Sequence, residues 1–242
     1  MKICVFSDYT SLSAACADGI ETLIKEKPDA VLGLATGASP EGAYEELIRR
    51  SRAGELSFRA VKTFNLDEYC GLPRADRNSY YSFMWEHLFG HIDIAPENAR
   101  IPDGNAPDLA AECLAYDEAI KEAGGIDLQV LGIGRNGHIG FNEPADAFTK
   151  GTHVTRLTKS TIDANKRYFD DNPMPEAAIT MGIGTIFSAK RIVLLATGKK
   201  KAEAIKNTVQ GDISPRQCPA SILQLHPDVT LLLDEEAASL LG

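Results

Sequence analysis

The sequence has no closely spaced cysteines and no long apolar run. Its five cysteines are odd in number and scattered along 242 residues, and no two of them stand at the spacing of a zinc knuckle or a redox pair. We therefore expect reduced thiols in a cytoplasmic protein, most of them packed as small apolar side chains. The first apolar run, residues 3–6, is followed by Asp8 and is too short for a signal peptide or a membrane span.

Positive charge is also scarce. The chain has 25 Lys and Arg against 34 Asp and Glu, which gives a net charge of −9. Because nucleic acid and anionic membranes repel such a surface, the sequence excludes a general binder of either partner. An anionic small-molecule substrate is still allowed, since a few local cations outweigh a distant net charge. No His, Cys or carboxylate cluster has metal-ligand spacing, so we expect no metal site.

Short apolar runs alternate with helical patterns along the chain; the runs are residues 3–6, 30–35, 61–66, 128–133, 191–196 and 229–233. Runs that are apolar throughout are typical of strands buried on both faces. The pattern predicts an α/β fold with a doubly wound, mostly parallel sheet and helices on both faces, similar to a Rossmann fold. No repeat or linker interrupts the chain, so we expect a single domain over residues 1–242. Ligands bind such sheets at the carboxyl ends of the strands.

Small residues follow the second run: Thr36, Gly37, Ala38, Ser39 and Pro40. Ser39 is predicted to cap a helix, with Pro40 at its first position. The backbone N–H groups of such a turn lie at the positive end of a helix and suit a phosphate. An ordinary capping turn explains the same residues equally well.

Two adjacent carboxylates follow the third run, within the sequence NLDEY of residues 65–69. Neighbouring side chains at a strand end point in different directions, so we expect only one of Asp67 and Glu68 to face a site. A partly desolvated carboxylate there could take a proton from carbon. A solvated acidic turn is the alternative interpretation.

A glycine-rich segment, GIGRNGHIGFNEP, covers residues 132–144. It matches the dinucleotide-binding pattern G-x-G-x-x-G, but it does not follow the first strand of a βαβ unit, and its continuation is typical of a loop rather than a helix. We interpret the glycines as positions where the backbone approaches a ligand. Within this loop, Glu143 could orient the imidazole of His138 and raise its basicity.

Two segments supply cations. Residues 164–169 contain Lys166 and Arg167, and three lysines stand at residues 199–201, after the fifth run. A charge run is usually a solvated surface. Lysines at the start of a helix oppose its dipole, however, and a bound anion would explain that placement.

The four segments at residues 36–40, 64–69, 132–144 and 198–202 together resemble the glucosamine-6-phosphate deaminases, also called isomerases. The most specific combination is NLDEY at residues 65–69 with GHIGFNEP at residues 137–144. Similarity extends over nearly the whole chain through NSYY at residues 78–81, NAPD at residues 105–108 and LQLHP at residues 223–227.

The resemblance implies conversion of glucosamine 6-phosphate and water to fructose 6-phosphate and ammonia, with no cofactor. By resemblance, His138 assists opening of the sugar ring with support from Glu143 and Asn136, and Asp67 moves a proton between C2 and C1. The implied phosphate site consists of Thr36, Gly37, Ala38, Ser39, Arg167 and Lys201.

Two positions depart from the family pattern. Some members have Asp in place of Asn136, and an amide can orient His138 but cannot take a proton. Ala38 is often Gly in the family, and its methyl group is tolerated only if the backbone keeps a negative φ.

Two rival functions differ in their sequence features. A 6-phosphogluconolactonase would continue its Gly-His loop as Thr-Ala-Ser-Leu-Phe-Pro and would lack NLDEY. A sugar-phosphate-sensing regulator would carry a basic helix-turn-helix, for which this acidic chain leaves no room.

Regulation is expected to be simple. Longer family members extend beyond the position of Gly242 and are activated by N-acetylglucosamine 6-phosphate at an intersubunit site of a hexamer. In the stretch that helps to form that site, this chain places Asp146, whose charge repels an anionic effector. We therefore expect hyperbolic kinetics and a monomer or small homo-oligomer.

Overall fold

The computed structural model describes residues 1–159, 161–162, 169 and 174–242. Within these residues the chain forms ten strands, whose bounds are β1 Lys2–Phe6, β2 Val31–Leu34, β3 Lys62–Asn65, β4 Asp67–Tyr69, β5 Ala99–Arg100, β6 Leu128–Leu131, β7 His153–Arg156, β8 Ala177–Thr180, β9 Arg191–Ala196 and β10 Val229–Asp234. The α-helices of the same residues are α1 Tyr9–Glu26, α2 Ala38–Arg52, α3 Tyr80–His87, α4 Leu109–Glu122, α5 Ile183–Phe187, α6 Ala202–Gln210 and α7 Glu235–Ala238.

Seven strands form one sheet in the order β1-β10-β9-β6-β2-β3-β5, and every pair in it is parallel. The central strands β2 and β6 are buried along their whole length because helices cover both faces. One apolar cluster packs α1, α2 and α3 against the sheet, and the other packs α4, α5, α6 and α7 against the opposite face. The predicted α/β fold with a parallel sheet is confirmed.

A second, antiparallel sheet was not predicted from the sequence. It has the strand order β4-β8-β7. A single residue, Leu66, separates the end of β3 from the start of β4 and marks the bend between the two sheets. Asp67 is paired with Thr180 across this small sheet. Its strands have three or four residues, and burial alternates along β7, so they leave no continuous apolar run in the sequence.

The start of α2 differs from the prediction. Gly37, not Ser39, is the N-cap residue, and its φ of 85° is one that L side chains rarely adopt. Ala38 is the first helical residue, so Ser39 and Pro40 lie within the first turn. The glycine lets the chain turn directly from β2 into the helix, which leaves no room for a separate serine cap. Ala38 keeps a negative φ, so its methyl group is accommodated.

No helix among the described residues is long and apolar enough to cross a membrane.

Candidate active site

The segments selected from the sequence meet at the carboxyl edge of the large sheet. They follow β2, β3, β6 and β9, which are neighbours in the order β9-β6-β2-β3. A methyl group added at Gly132 would lie 3.5 Å from Ser39 Oγ, so the loop after β6 touches the turn after β2. Lys201 Nζ donates to the carbonyl oxygen of Ile133 at 2.5 Å, which brings the segment after β9 to the same loop.

Asp67 is buried beside this loop, with 6% of its surface exposed. A β-carbon at Gly140 would lie 3.5 Å from Asp67 Oδ2 and 2.8 Å from Thr180 Oγ1, so only glycine lets the loop pass this close. Burial, with a smaller contribution from the charge of Glu68, raises the pKa of Asp67 from 3.8 to about 8. A carboxyl group with a pKa near neutrality can both take and return a proton.

Glu68 points away from Asp67, as expected for adjacent residues. Its carboxylate accepts hydrogen bonds from the backbone N–H groups of Tyr80 at 2.9 Å and Tyr81 at 2.8 Å, at the start of α3. A third N–H group, that of Tyr69, donates to it at 2.8 Å. Burial raises the pKa of Glu68 despite these bonds. Glu68 therefore fixes the start of α3 to β4.

His138 and Glu143 form the second chemical element of the site. His138 Nδ1 lies 3.3 Å from Glu143 Oε1, and the imidazole side chain is 24% exposed. Asn136 Nδ2 donates to Glu143 Oε2 at 2.5 Å, and Asn136 Oδ1 accepts a hydrogen bond from the backbone N–H of His138 at 3.3 Å. The three residues named from the loop sequence are thus in mutual contact.

Two threonines also hold Glu143, and sequence reasoning missed both. Thr158 Oγ1 donates to Glu143 Oε1 at 3.2 Å, and Thr161 Oγ1 donates to the same oxygen. Burial alone would raise the pKa of Glu143, but the contact with His138 and the bonds from Thr161 and Asn136 outweigh it and lower the pKa to about 2. Glu143 is therefore ionised at neutral pH. No local signal could find the threonines, because 15 and 18 residues separate them from Glu143.

The anion-binding elements face the same edge. The N-cap of α2 makes no side-chain hydrogen bond, so the first N–H groups of this helix have no side-chain cap. Among the three lysines, Lys199 and Lys200 are exposed, whereas Lys201 is half-buried. Burial and the nearby charge of Arg135 lower the pKa of Lys201. Arg135 is a cation that the sequence analysis did not select, and Arg167 lies outside the described residues.

An aromatic cluster, also not predicted, connects these elements. The ring of Tyr80 stacks on Phe141 with centroids 6.1 Å apart, and its hydroxyl donates to Tyr69 Oη at 3.2 Å. Tyr80 also shares a hydrogen bond with Thr36, in the turn after β2. The cluster joins the turn after β2, the strand of Asp67 and the loop after His138.

A cavity of about 190 Å³ lies behind Glu143, lined by residues that include Phe148, His153 and Pro215. Neither Asp67 nor His138 lines it, and the described residues of its lining include no Lys or Arg. Asp146 does not line it either: this exposed side chain forms an ion pair with Arg216 at 3.0 Å. Among the described residues, no three His, Cys, Asp or Glu side chains are grouped to hold a metal ion.

Comparison with known proteins gives consistent matches over the whole chain. Residues 8–232 match the sequence profile of the family described as glucosamine-6-phosphate isomerases/6-phosphogluconolactonase. A glucosamine-6-phosphate deaminase of Thermoanaerobacter pseudethanolicus is 53% identical over 242 residues, which are 100% of this chain and 95% of that protein. Glucosamine-6-phosphate deaminase 1 of Bacillus subtilis is 52% identical over 241 residues, covering 99% of both proteins.

Solved structures agree with these matches. A structure described as a monomeric glucosamine-6-phosphate deaminase is 52% identical and superposes with a TM-score of 0.96, covering 99% of this chain and 100% of that one. A 6-phosphogluconolactonase from Trypanosoma cruzi superposes with a TM-score of 0.80 at 21% identity, covering 100% of this chain and 97% of that one. The second match shows a shared fold alone.

Proposed function

The chain belongs to the glucosamine-6-phosphate isomerase and 6-phosphogluconolactonase family, and we propose that its edge-of-sheet site carries out the deaminase reaction of that family. The chain is an enzyme, a glucosamine-6-phosphate deaminase, which converts glucosamine 6-phosphate and water to fructose 6-phosphate and ammonia. The observation that carries the assignment of the site is the buried carboxyl group of Asp67 beside the His138 loop.

Ring opening is the first step. His138, oriented by the ionised Glu143, accepts the proton of the C1 hydroxyl and passes it to the ring oxygen O5 as the C1–O5 bond breaks. The product is the open-chain aldehyde. Because the pKa of Glu143 is about 2, this carboxylate stays charged throughout and stabilises the imidazolium rather than taking the proton itself.

Proton transfer between carbons is the second step. Asp67 as carboxylate takes the proton from C2 while O1 gains a proton from water, which gives an enolamine, and Asp67 then returns its proton to C1. The resulting ketimine at C2 is hydrolysed by water, which releases ammonia and leaves the C2 carbonyl of fructose 6-phosphate. A pKa of about 8 suits both halves of this step, because the same group must act as base and then as acid.

The phosphate is held at the N-terminus of α2 and by Lys201. The N–H groups after Gly37 offer uncapped donors, the Thr36 and Ser39 hydroxyls stand on the same turn, and Lys201 supplies the charge. Arg167 completes this clamp in our proposal on the strength of the sequence resemblance. No metal or cofactor takes part in these steps.

Paired assays test the function against its nearest rival. The enzyme is expected to release fructose 6-phosphate and ammonia in equal amounts from glucosamine 6-phosphate and to leave 6-phosphogluconolactone hydrolysis at the uncatalysed rate. Lactone hydrolysis without ammonia release would assign the shared scaffold to lactonase chemistry instead. A basic Asp67 has no task in lactone hydrolysis, which moves no proton on carbon.

We propose that this enzyme is not activated by an anionic effector and that it forms a monomer or small homo-oligomer. Among the residues that the structure describes, the lining of the cavity behind Glu143 offers no Lys or Arg to hold an anionic effector, and we infer hyperbolic kinetics. The structurally similar deaminase described as monomeric supports a monomer or small homo-oligomer. The five free cysteines fit a reducing cytoplasm.

A further inference from the structure

One oxygen of Glu143 is shared by three neighbours. Oε1 lies 3.3 Å from His138 Nδ1, accepts the Thr158 hydroxyl at 3.2 Å and accepts the Thr161 hydroxyl. Thr161 is 5% exposed, so its hydroxyl is removed from water and directed at this carboxylate. The contact joins Thr158 and Thr161 to the loop that carries His138.

The hydroxyls of Thr158 and Thr161 have different roles, because each hydroxyl has only one proton to donate. Thr158 Oγ1 accepts the Thr161 N–H at 3.3 Å, and Ile162 N–H donates to the Thr158 carbonyl oxygen at 2.9 Å, so Thr158 caps the turn. Thr158 Oγ1 also lies 3.1 Å from Thr161 Oγ1, which leaves Thr161 to give its own proton to Glu143.

The imidazole is not the only group that orients Glu143. His138 Nδ1 faces Glu143 Oε1 at 3.3 Å, which is longer than the contacts that Asn136 and Thr161 make with this carboxylate. Thr161 on Oε1 and Asn136 on Oε2 hold the two carboxylate oxygens separately. Without the Thr161 hydroxyl, Oε1 keeps the longer contacts with the Thr158 hydroxyl at 3.2 Å and with His138 Nδ1 at 3.3 Å, so the carboxylate is held less firmly at this oxygen.

We propose that Thr161 is a positioning residue of the deamination: its buried hydroxyl fixes the Glu143 carboxylate, which in turn holds the His138 imidazole in the orientation that ring opening requires. The inference rests on the proposed function of this site. Removing the hydroxyl leaves a buried charged acceptor short of a donor and frees Oε1 to turn away from His138. The sugar phosphate binds elsewhere in the site, so its affinity is expected to change little.

Three variants separate positioning from simple structural support. Thr161→Val removes the hydroxyl at nearly constant shape, and Thr161→Ser keeps it. The matched control is Thr155→Val, because the hydroxyl of Thr155 faces the Arg156 carbonyl at 3.4 Å rather than Glu143. We expect Thr161→Val to lower kcat about tenfold or more with KM within about threefold, Thr161→Ser to stay within about threefold of wild type, and the control to be unchanged.

A double-mutant cycle tests the route through Glu143. If Thr161 acts through this carboxylate, Thr161→Val in a Glu143→Gln background lowers kcat by less than about twofold further. A full additional loss there would overturn the inference, as would a kcat within about twofold of wild type for Thr161→Val or a loss confined to KM. Equal losses in the Ser and Val variants would also overturn it.

Two controls keep the test decisive. If Thr161→Val does not fold, the comparison of Thr161→Ala with Thr161→Ser takes its place, with the same criteria. Wild-type ammonia release is measured in parallel. No release from the wild type contradicts the proposed function itself, whereas normal release from both wild type and Thr161→Val contradicts the positioning role alone.

Discussion

The imidazole of His138 lies directly on Gly134: a β-carbon built at Gly134 would stand 2.2 Å from Cε1 and 2.3 Å from Nδ1 of that ring. Any residue larger than glycine at this position would have to displace the imidazole. The glycine-rich loop therefore serves to seat the histidine, not to cradle a dinucleotide.

Gly134→Ala is accordingly expected to displace His138 and lower kcat by roughly 10²-fold, the cost of about 1 Å of misplacement of a reacting group. Gly19→Ala is the control, because a β-carbon at Gly19 meets nothing within 4 Å. This control is expected to keep full activity and to gain up to about 1 kcal/mol of stability from helix propensity. Normal turnover by Gly134→Ala would show that the ring position is not critical.

Lys201→Ala removes the half-buried cation of the phosphate clamp. The loss of a charge-assisted bond, about 1.5–3 kcal/mol, should raise KM for glucosamine 6-phosphate with kcat nearly unchanged. Lys200→Ala, at an exposed neighbouring position, serves as the control. Unphosphorylated glucosamine should show a much smaller effect, and equal losses with both sugars would mean that Lys201 does not recognise the phosphate.

Stability should depend on the charge of Asp67. Its pKa is raised from 3.8 to about 8, so the folded state holds a proton that the unfolded chain releases, and stability falls as pH rises between these values. Asp67→Asn carries no charge, so its free energy of unfolding should exceed that of wild type by at least about 1 kcal/mol at pH 9, with a smaller gap at pH 5. Urea unfolding at both pH values measures this, with the exposed Asp146→Asn as a control that shows no such pH-dependent gap. A gap that does not grow with pH would contradict the buried charge.

The sequence predicted those elements whose signal is local. Six of the seven strands of the parallel sheet appear in the sequence as short, mostly apolar runs, and the structure places Asp67, His138 and Lys201 after the ends of neighbouring strands. The antiparallel sheet was missed because its strands have only three or four residues, β4 contains two carboxylates, and burial alternates along β7.

Other features depend on tertiary contacts that no window of sequence contains. The α2 cap was assigned to Ser39, whose type favours capping, although Gly37 supplies the positive φ that the tight turn requires. The hydroxyl of Thr161 reaches Glu143 only because the chain folds back between them. The raised pKa of Asp67 likewise follows from burial, which the acidic sequence around it would not suggest.

The turnover of Asp67→Asn on glucosamine 6-phosphate measures whether Asp67 moves the proton between C2 and C1. The amide keeps the shape of the side chain and cannot move the proton from C2 to C1, so kcat should fall by roughly 10²–10⁴. Ring opening should continue, because His138 and Glu143 are untouched, and trapping of the open-chain aldehyde measures it separately. A folded Asp67→Asn enzyme that produces fructose 6-phosphate and ammonia at close to the wild-type rate would remove Asp67 from the mechanism and contradict the account.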